Sequence, residues 1–230
     1  MARILGGDVK KRREDEIMNL NRRALLFAVL VAICCGAPGA HAASVIDNWA
    51  NIKVPPAPEL KPVKVDPKVT ALVLLDYVKQ ICNAERYPHC PQRLPAVKKL
   101  LDHARAAGAM IVYTGTTIPP SEKADIVPSV APADNEPFVK GLLDKFLNTD
   151  LEKLLKDKGI TTLIVVGQAA QGAVITTGSE AAQRGFNIIV PVDGVAAQED
   201  FYERYTVWHL SHAPLLERRT TLTSSDMITF

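Results

Sequence analysis

The sequence predicts an α/β fold: a mostly parallel sheet with helices on both faces, in three layers. Two apolar runs, Thr70-Ala-Leu-Val-Leu-Leu75 and Thr161-Thr-Leu-Ile-Val-Val-Gly167, are short, uninterrupted and rich in branched residues. That is how strands buried on both faces read. Helix-patterned segments alternate with such runs along the chain. The second run also feeds through small residues, Gln168-Ala-Ala-Gln-Gly-Ala173, into a helix. In open parallel sheets a strand–turn–helix corner of this kind forms a binding site.

The chain begins with a leader, residues 1–42. From about residue 18 it has a basic start with Arg22 and Arg23, an apolar run Ala24–Cys35 and a small-residue site, Ala40-His41-Ala42. These make a Sec-type signal peptide cleaved after Ala42, hence a periplasmic or secreted protein. The apolar run is too short and too interrupted to span a bilayer comfortably, so no stable membrane span is expected after cleavage, an uncleaved anchor being the alternative. Of the 27 basic and 25 acidic residues, seven and four lie in the leader, which leaves a net charge of −1 from residue 43 onward. Without a basic balance, nucleic acid is not an expected partner.

Two of the four cysteines, Cys82 and Cys90, lie beyond the leader. In an oxidising compartment they read as a disulfide, with free thiols the alternative; a zinc site would have only His89 nearby. Residues 43–67 form a proline-punctuated arm of extended character, with Trp49 expected to tuck onto the body. The body, residues 68–230, opens with the strand Thr70–Leu75. A helix from Pro95 to Ala107 and a strand Ala109–Thr114 follow. A Pro-rich loop, Ile118–Pro137, is long enough for a lid. Thr149-Asp-Leu-Glu152 reads as a capping box opening a helix that stops at Gly159. After the central strand and its turn come a strand at Asn187–Val192, a helix around Glu199–Ala213 and a strand near Thr220–Thr223.

Asp76 ends the first strand after five apolar residues, and burial there would raise its pKa. A simple turn cap is the alternative. If the strands before Asp76 and Gly167 are neighbours, both ends line one cleft.

Several ordered segments together resemble a known superfamily. They are Leu-Leu-Asp76; Glu-Pro-Phe-Val-Lys140 with Phe146 and Thr-Asp-Leu-Glu; Leu-Ile-Val-Val-Gly167 with its turn; and Ala-Ala-Gln-Arg-Gly-Phe-Asn-Ile-Ile-Val-Pro-Val-Asp193. From Thr70 onward the chain is similar to the isochorismatase-like (cysteine hydrolase) superfamily. The resemblance implies a Rossmann-like fold with a six-stranded sheet, frequent self-association and no cofactor. It also implies an Asp–Lys–Cys triad, which falls on Asp76, Lys140 and Ala173. Lys145 is the alternate cation.

Alanine at 173 leaves no sulfur to form a covalent intermediate, which disfavours amide hydrolysis. A thiol enzyme using Cys82 is a third reading. The metal-binding members' Asp and His after the second strand are replaced here by Thr114-Gly-Thr-Thr, and His209 with His212 alone is not a metal set, so no metal is expected. Isochorismatases proper, which cleave a vinyl ether with an aspartate acid and no cysteine, fit better. The resemblance further implies a cis peptide near Gln168–Ala169. Gln168, Ala169, Gln171 and Gly172 become the ligand-binding candidates. The expectation is a hydrolase of a small, carboxylate-bearing molecule, with a non-catalytic binder of a small anion or partner protein as the rival.

Overall fold

All six residues of strand Thr70–Leu75 are buried, and around this strand the sheet is built. The computed structural model describes residues 12–20, 22 and 43–230; the signal-peptide elements from Arg23 to Ala42 lie outside them. The chain divides into two units, Met1–Pro56 and Ala57–Phe230. In the first, residues 12–20 are helical and Trp49–Asn51 form a 3₁₀ turn. Trp49 is 60% exposed.

The second unit contains, in order, β1 (Val63–Lys64), β2 (Thr70–Leu75), α1 (His89–Ala106), β3 (Met110–Thr116), β4 (Phe138–Gly141) and α2 (Leu151–Asp157). Then come β5 (Thr162–Gly167), α3 (Ile175–Gln183), β6 (Asn187–Pro191), α4 (Asp200–His212), β7 (Thr220–Thr223) and β8 (Ile228–Thr229). The main sheet has six strands in the order β4-β3-β2-β5-β6-β7, and every adjacent pair is parallel.

Side chains alternate along each strand between two apolar layers. Leu72 and Leu74 join α1 residues such as Val97, Leu100 and Leu101 on one face. Ala71, Val73 and Leu75 join Leu155 of α2, Ala181 of α3 and Leu210 of α4 on the other. The three-layer α/β expectation therefore holds. Burying a side chain such as Leu74 stabilises the fold by roughly 1.5–3 kcal/mol.

Several local expectations are corrected. Helix α1 starts at His89, so Pro95 lies inside it and not at its first turn. Strand β4, just past the loop Ile118–Pro137, has no counterpart among the expected elements; it is only four residues long and its burial pattern does not alternate cleanly. The capping box does not form: Asp150 makes no side-chain cap. Instead Thr149 Oγ1 accepts the Leu151 N–H at 3.2 Å, and Glu152 is drawn to Lys156 and Arg184. The last part of the proline-punctuated arm forms regular structure, because β1 pairs in parallel with β8. Cys82 and Cys90 form the expected disulfide.

Candidate active site

β3 and β4 continue the sheet on one side of the β2–β5 pair, β6 and β7 on the other. The winding therefore reverses between β2 and β5, where ligands collect at the carboxyl ends of parallel strands. Leu75 and Gly167 are register partners, which makes Asp76 and the Gln168 turn neighbours. Gly167 is needed at this contact. Its φ is +146°, and a Cβ would lie 2.4 Å from the Leu75 carbonyl oxygen.

Regular alternation would send the Asp76 side chain to the Leu74 layer, away from α3. Its φ of +56° breaks the alternation, a conformation that aspartate tolerates better than most residues. The carboxylate instead meets Thr114, which follows Val112 in the opposite layer. Thr114 donates its O–H to Asp76 Oδ1 at 2.7 Å and accepts the Asp76 N–H at 3.3 Å.

Asp76 Oδ2 lies 2.9 Å from Lys145 Nζ. The lysine side chain is fully buried and that of the aspartate only 5% exposed. Lys145 Nζ also donates to the carbonyls of Gly115 at 3.1 Å and Gly141 at 3.3 Å. Three acceptors match the three N–H donors of an ammonium. Burial raises the Asp76 pKa against the opposing pull of Lys145 and Thr114. Burial likewise lowers that of Lys145 against the pull of Asp76. The charges are paired, and desolvation pushes both groups toward their neutral forms.

Lys140 does not take part. On β4, Val139 packs against the α2–α3 layer and Phe138 against the α1 layer. Alternation therefore puts Lys140 on the α1 side, opposite the Asp76 carboxylate. Its Nζ pairs with Glu122 at 2.7 Å, both side chains being exposed. Spacing along the sequence cannot tell which of two nearby lysines turns inward. Composition does not decide it either, since Leu142, Leu143 and Leu147 around Lys145 are themselves exposed.

Ala173 lies in a π-type turn, Ala170–Val174, that leads into α3, and is 1% exposed. One turn further on, Thr177 Oγ1 accepts the Lys145 N–H at 3.3 Å and donates to the Leu143 carbonyl at 3.0 Å. Thr177 of α3, four residues past Ala173, thus holds the lysine segment. A Cβ added at Gly172 would come within 3.3 Å of the Leu143 side chain.

The Gln168–Ala169 peptide is cis. Gln168 is fully buried and donates from Nε2 to the Asp76 carbonyl at 3.0 Å. The side-chain oxygens of Gln168 and Gln171 are buried without a protein partner. As an anion cradle, the turn is less open than its sequence implies. The Ala170 N–H is taken by the Ala196 carbonyl, and those of Gly172 and Val174 by the Ala169 carbonyl.

His209 and His212 sit on α4, where His212 stacks on Trp208. Elsewhere among the described residues, His89, Asp200 and Glu203 bring ligand-type atoms within 4.8 Å of one another. Glu203 is committed there to Arg93 and to the Ala197 N–H, so the group ties α1 to α4.

A family model described as the isochorismatase domain matches residues 70–220. The chain belongs to the isochorismatase family. It is 31% identical to the secreted isochorismatase effector Isc1 of Verticillium dahliae, over 46% of this chain and 60% of that one. It is 28% identical to the streptothricin hydrolase of Streptomyces noursei, over 65% of this chain and 61% of that one. The matches thus span about three fifths of each relative. Among solved structures, a cysteine hydrolase from Pseudomonas syringae pv. phaseolicola superposes with a TM-score of 0.63 at 20% identity, covering 74% of this chain and 94% of that one. This last likeness concerns the fold alone.

Proposed function

We propose that the protein is an isochorismatase-family hydrolase of a small molecule, with Asp76 as its acid/base, Lys145 as the electrostatic partner of that acid and water as its nucleophile. The buried Asp76–Lys145 pair at the switch point carries the reading. A carboxylate whose pKa burial raises, held against an ammonium, can take a proton and give it back. Asp76 accepts a proton from the attacking water and delivers it to the leaving group, for a net addition of water across the cleaved bond. Lys145 stabilises the charge Asp76 carries before it takes the proton and again once it has given the proton up. With its three N–H donors committed, Lys145 serves the aspartate and not a substrate carboxylate, so the carboxylate in the expected substrate has no support from this lysine.

Ala173 occupies the position at which the resemblance places a cysteine, and a methyl group forms no acyl-enzyme. The same alanine supports the second reading, a member that binds a small ligand in this cleft without turning it over. Export is part of the proposal. The Cys82–Cys90 disulfide belongs to an oxidising compartment, and one relative is described as secreted. Among the described residues no helix is long and apolar enough to cross a membrane.

A thermal-shift screen of small esters, amides and vinyl ethers, followed by product analysis of each hit, tests the reading. Product formation that is lost on Asp76→Asn is expected. Stabilisation with no product from any hit would replace it with the binding reading.

A further inference from the structure

Asp76 leaves β2 with φ +56°, and nothing in the regular strand pattern would aim its carboxylate at Lys145. One neighbouring side chain grips it at both ends. The Thr114 hydroxyl accepts the Asp76 backbone N–H and donates to carboxylate Oδ1. With Oδ1 held, Oδ2 is the oxygen facing Lys145 at 2.9 Å. We propose that Thr114 is the positioning residue for Asp76: its hydroxyl locks the turned aspartate by backbone and carboxylate together and so aims Oδ2 at the lysine. This rests on the assignment of Asp76 as the working acid/base.

The surroundings suit that task. β3 lies between β2 and β4, with Leu74 paired to Tyr113 and Val139 to Thr114, and Thr114 is fully buried. A hydroxyl at this register has little freedom, as a part that orients a reacting group requires. The next residue, Gly115, offers its carbonyl to Lys145 Nζ. Two consecutive positions at the end of β3 therefore hold the two halves of the ion pair. The donor and acceptor roles are also fixed. The Asp76 N–H can only donate, so the hydroxyl proton is free to point at the carboxylate, where it favours the charged form.

The test is a carboxyl carbon NMR titration of the full chain labelled at aspartate, with the Asp76 signal assigned through Asp76→Asn. Thr114→Val keeps the shape and removes the hydroxyl; Thr114→Ser keeps the hydroxyl. Losing a hydrogen bond to the ionised form is expected to raise Asp76's proton affinity ~10-fold in the valine variant, while the serine variant titrates like the wild type. Thr114→Ala stands in if the valine variant does not fold. An unmoved Asp76 titration in a folded valine or alanine variant would overturn the proposal. So would a serine variant that shifts as far as valine. The titration needs no substrate. If Asp76→Asn abolishes turnover while Thr114→Val leaves the titration unchanged, the acid/base assignment stands and the positioning role fails. If Asp76→Asn retains turnover, the assignment fails whatever Thr114 does.

Discussion

Lys145 Nζ and Asp76 Oδ2 are 2.9 Å apart in a place that water hardly reaches. The two residues arrive from the same half of the sheet, Asp76 from the end of the central strand β2 and Lys145 from the segment after the edge strand β4. Neither charge is well tolerated there alone, since a buried ion without its partner costs several kcal/mol or is driven to its neutral form.

Lys145→Met should therefore destabilise the protein by roughly 3–5 kcal/mol, because it strands a buried carboxylate. Adding Asp76→Asn to Lys145→Met should recover part of that loss, giving a double-mutant cost well below the sum of the singles. Urea denaturation of the four proteins checks this, and additive losses would mean the pair is not coupled.

A second pair sets the response to acid. Burial pushes the Glu136 pKa up, but the Arg105 guanidinium, the Ala133 N–H and the nearby charges outweigh it and hold the carboxyl below the ordinary 4.5. Arg105 grips both carboxylate oxygens, at 2.8 and 2.7 Å. Just below pH 4.5 the unfolded chain binds the proton more readily than the folded one, so stability rises with pH in that window. This contribution is present above pH 4.5 and is lost as pH falls through the depressed folded value. Glu136→Gln should flatten the acid limb of a plot of urea midpoint against pH. An unchanged limb would count against the Arg105 clamp.

The main strands were legible because a strand buried on both faces has no polar partner to interrupt it. Thr70–Leu75 was read to the residue, and the last strand of the main sheet lies at Thr220–Thr223, near which it was expected. Asp76 was legible for the same reason, as a charge placed where burial would otherwise have continued. Lys145 was weighed only as the alternate to Lys140. Choosing between them needs the face each side chain takes, and that depends on β4, a strand too short to show a period. Thr114 was passed over because it was judged only as an absent metal ligand. Its role follows from the positive φ of Asp76, a backbone property that no composition or spacing reports.

The disulfide closes a short loop, with Cys82 and Cys90 eight positions apart. Loop entropy in the unfolded chain then makes it worth about 2–3 kcal/mol. Reduction, or replacement of both cysteines by alanine, should lower the urea midpoint by a corresponding amount without unfolding the sheet. No change would show that the loop is held as tightly without the bond.

The account turns on whether Asp76 moves a proton while water does the cleaving. The most direct measurement is hydrolysis of the screened small molecules in ¹⁸O-labelled water by the wild type and by Asp76→Asn, with products followed by mass spectrometry. The account predicts one ¹⁸O atom in the wild-type product and no product from Asp76→Asn. Equal turnover by the asparagine variant would contradict it.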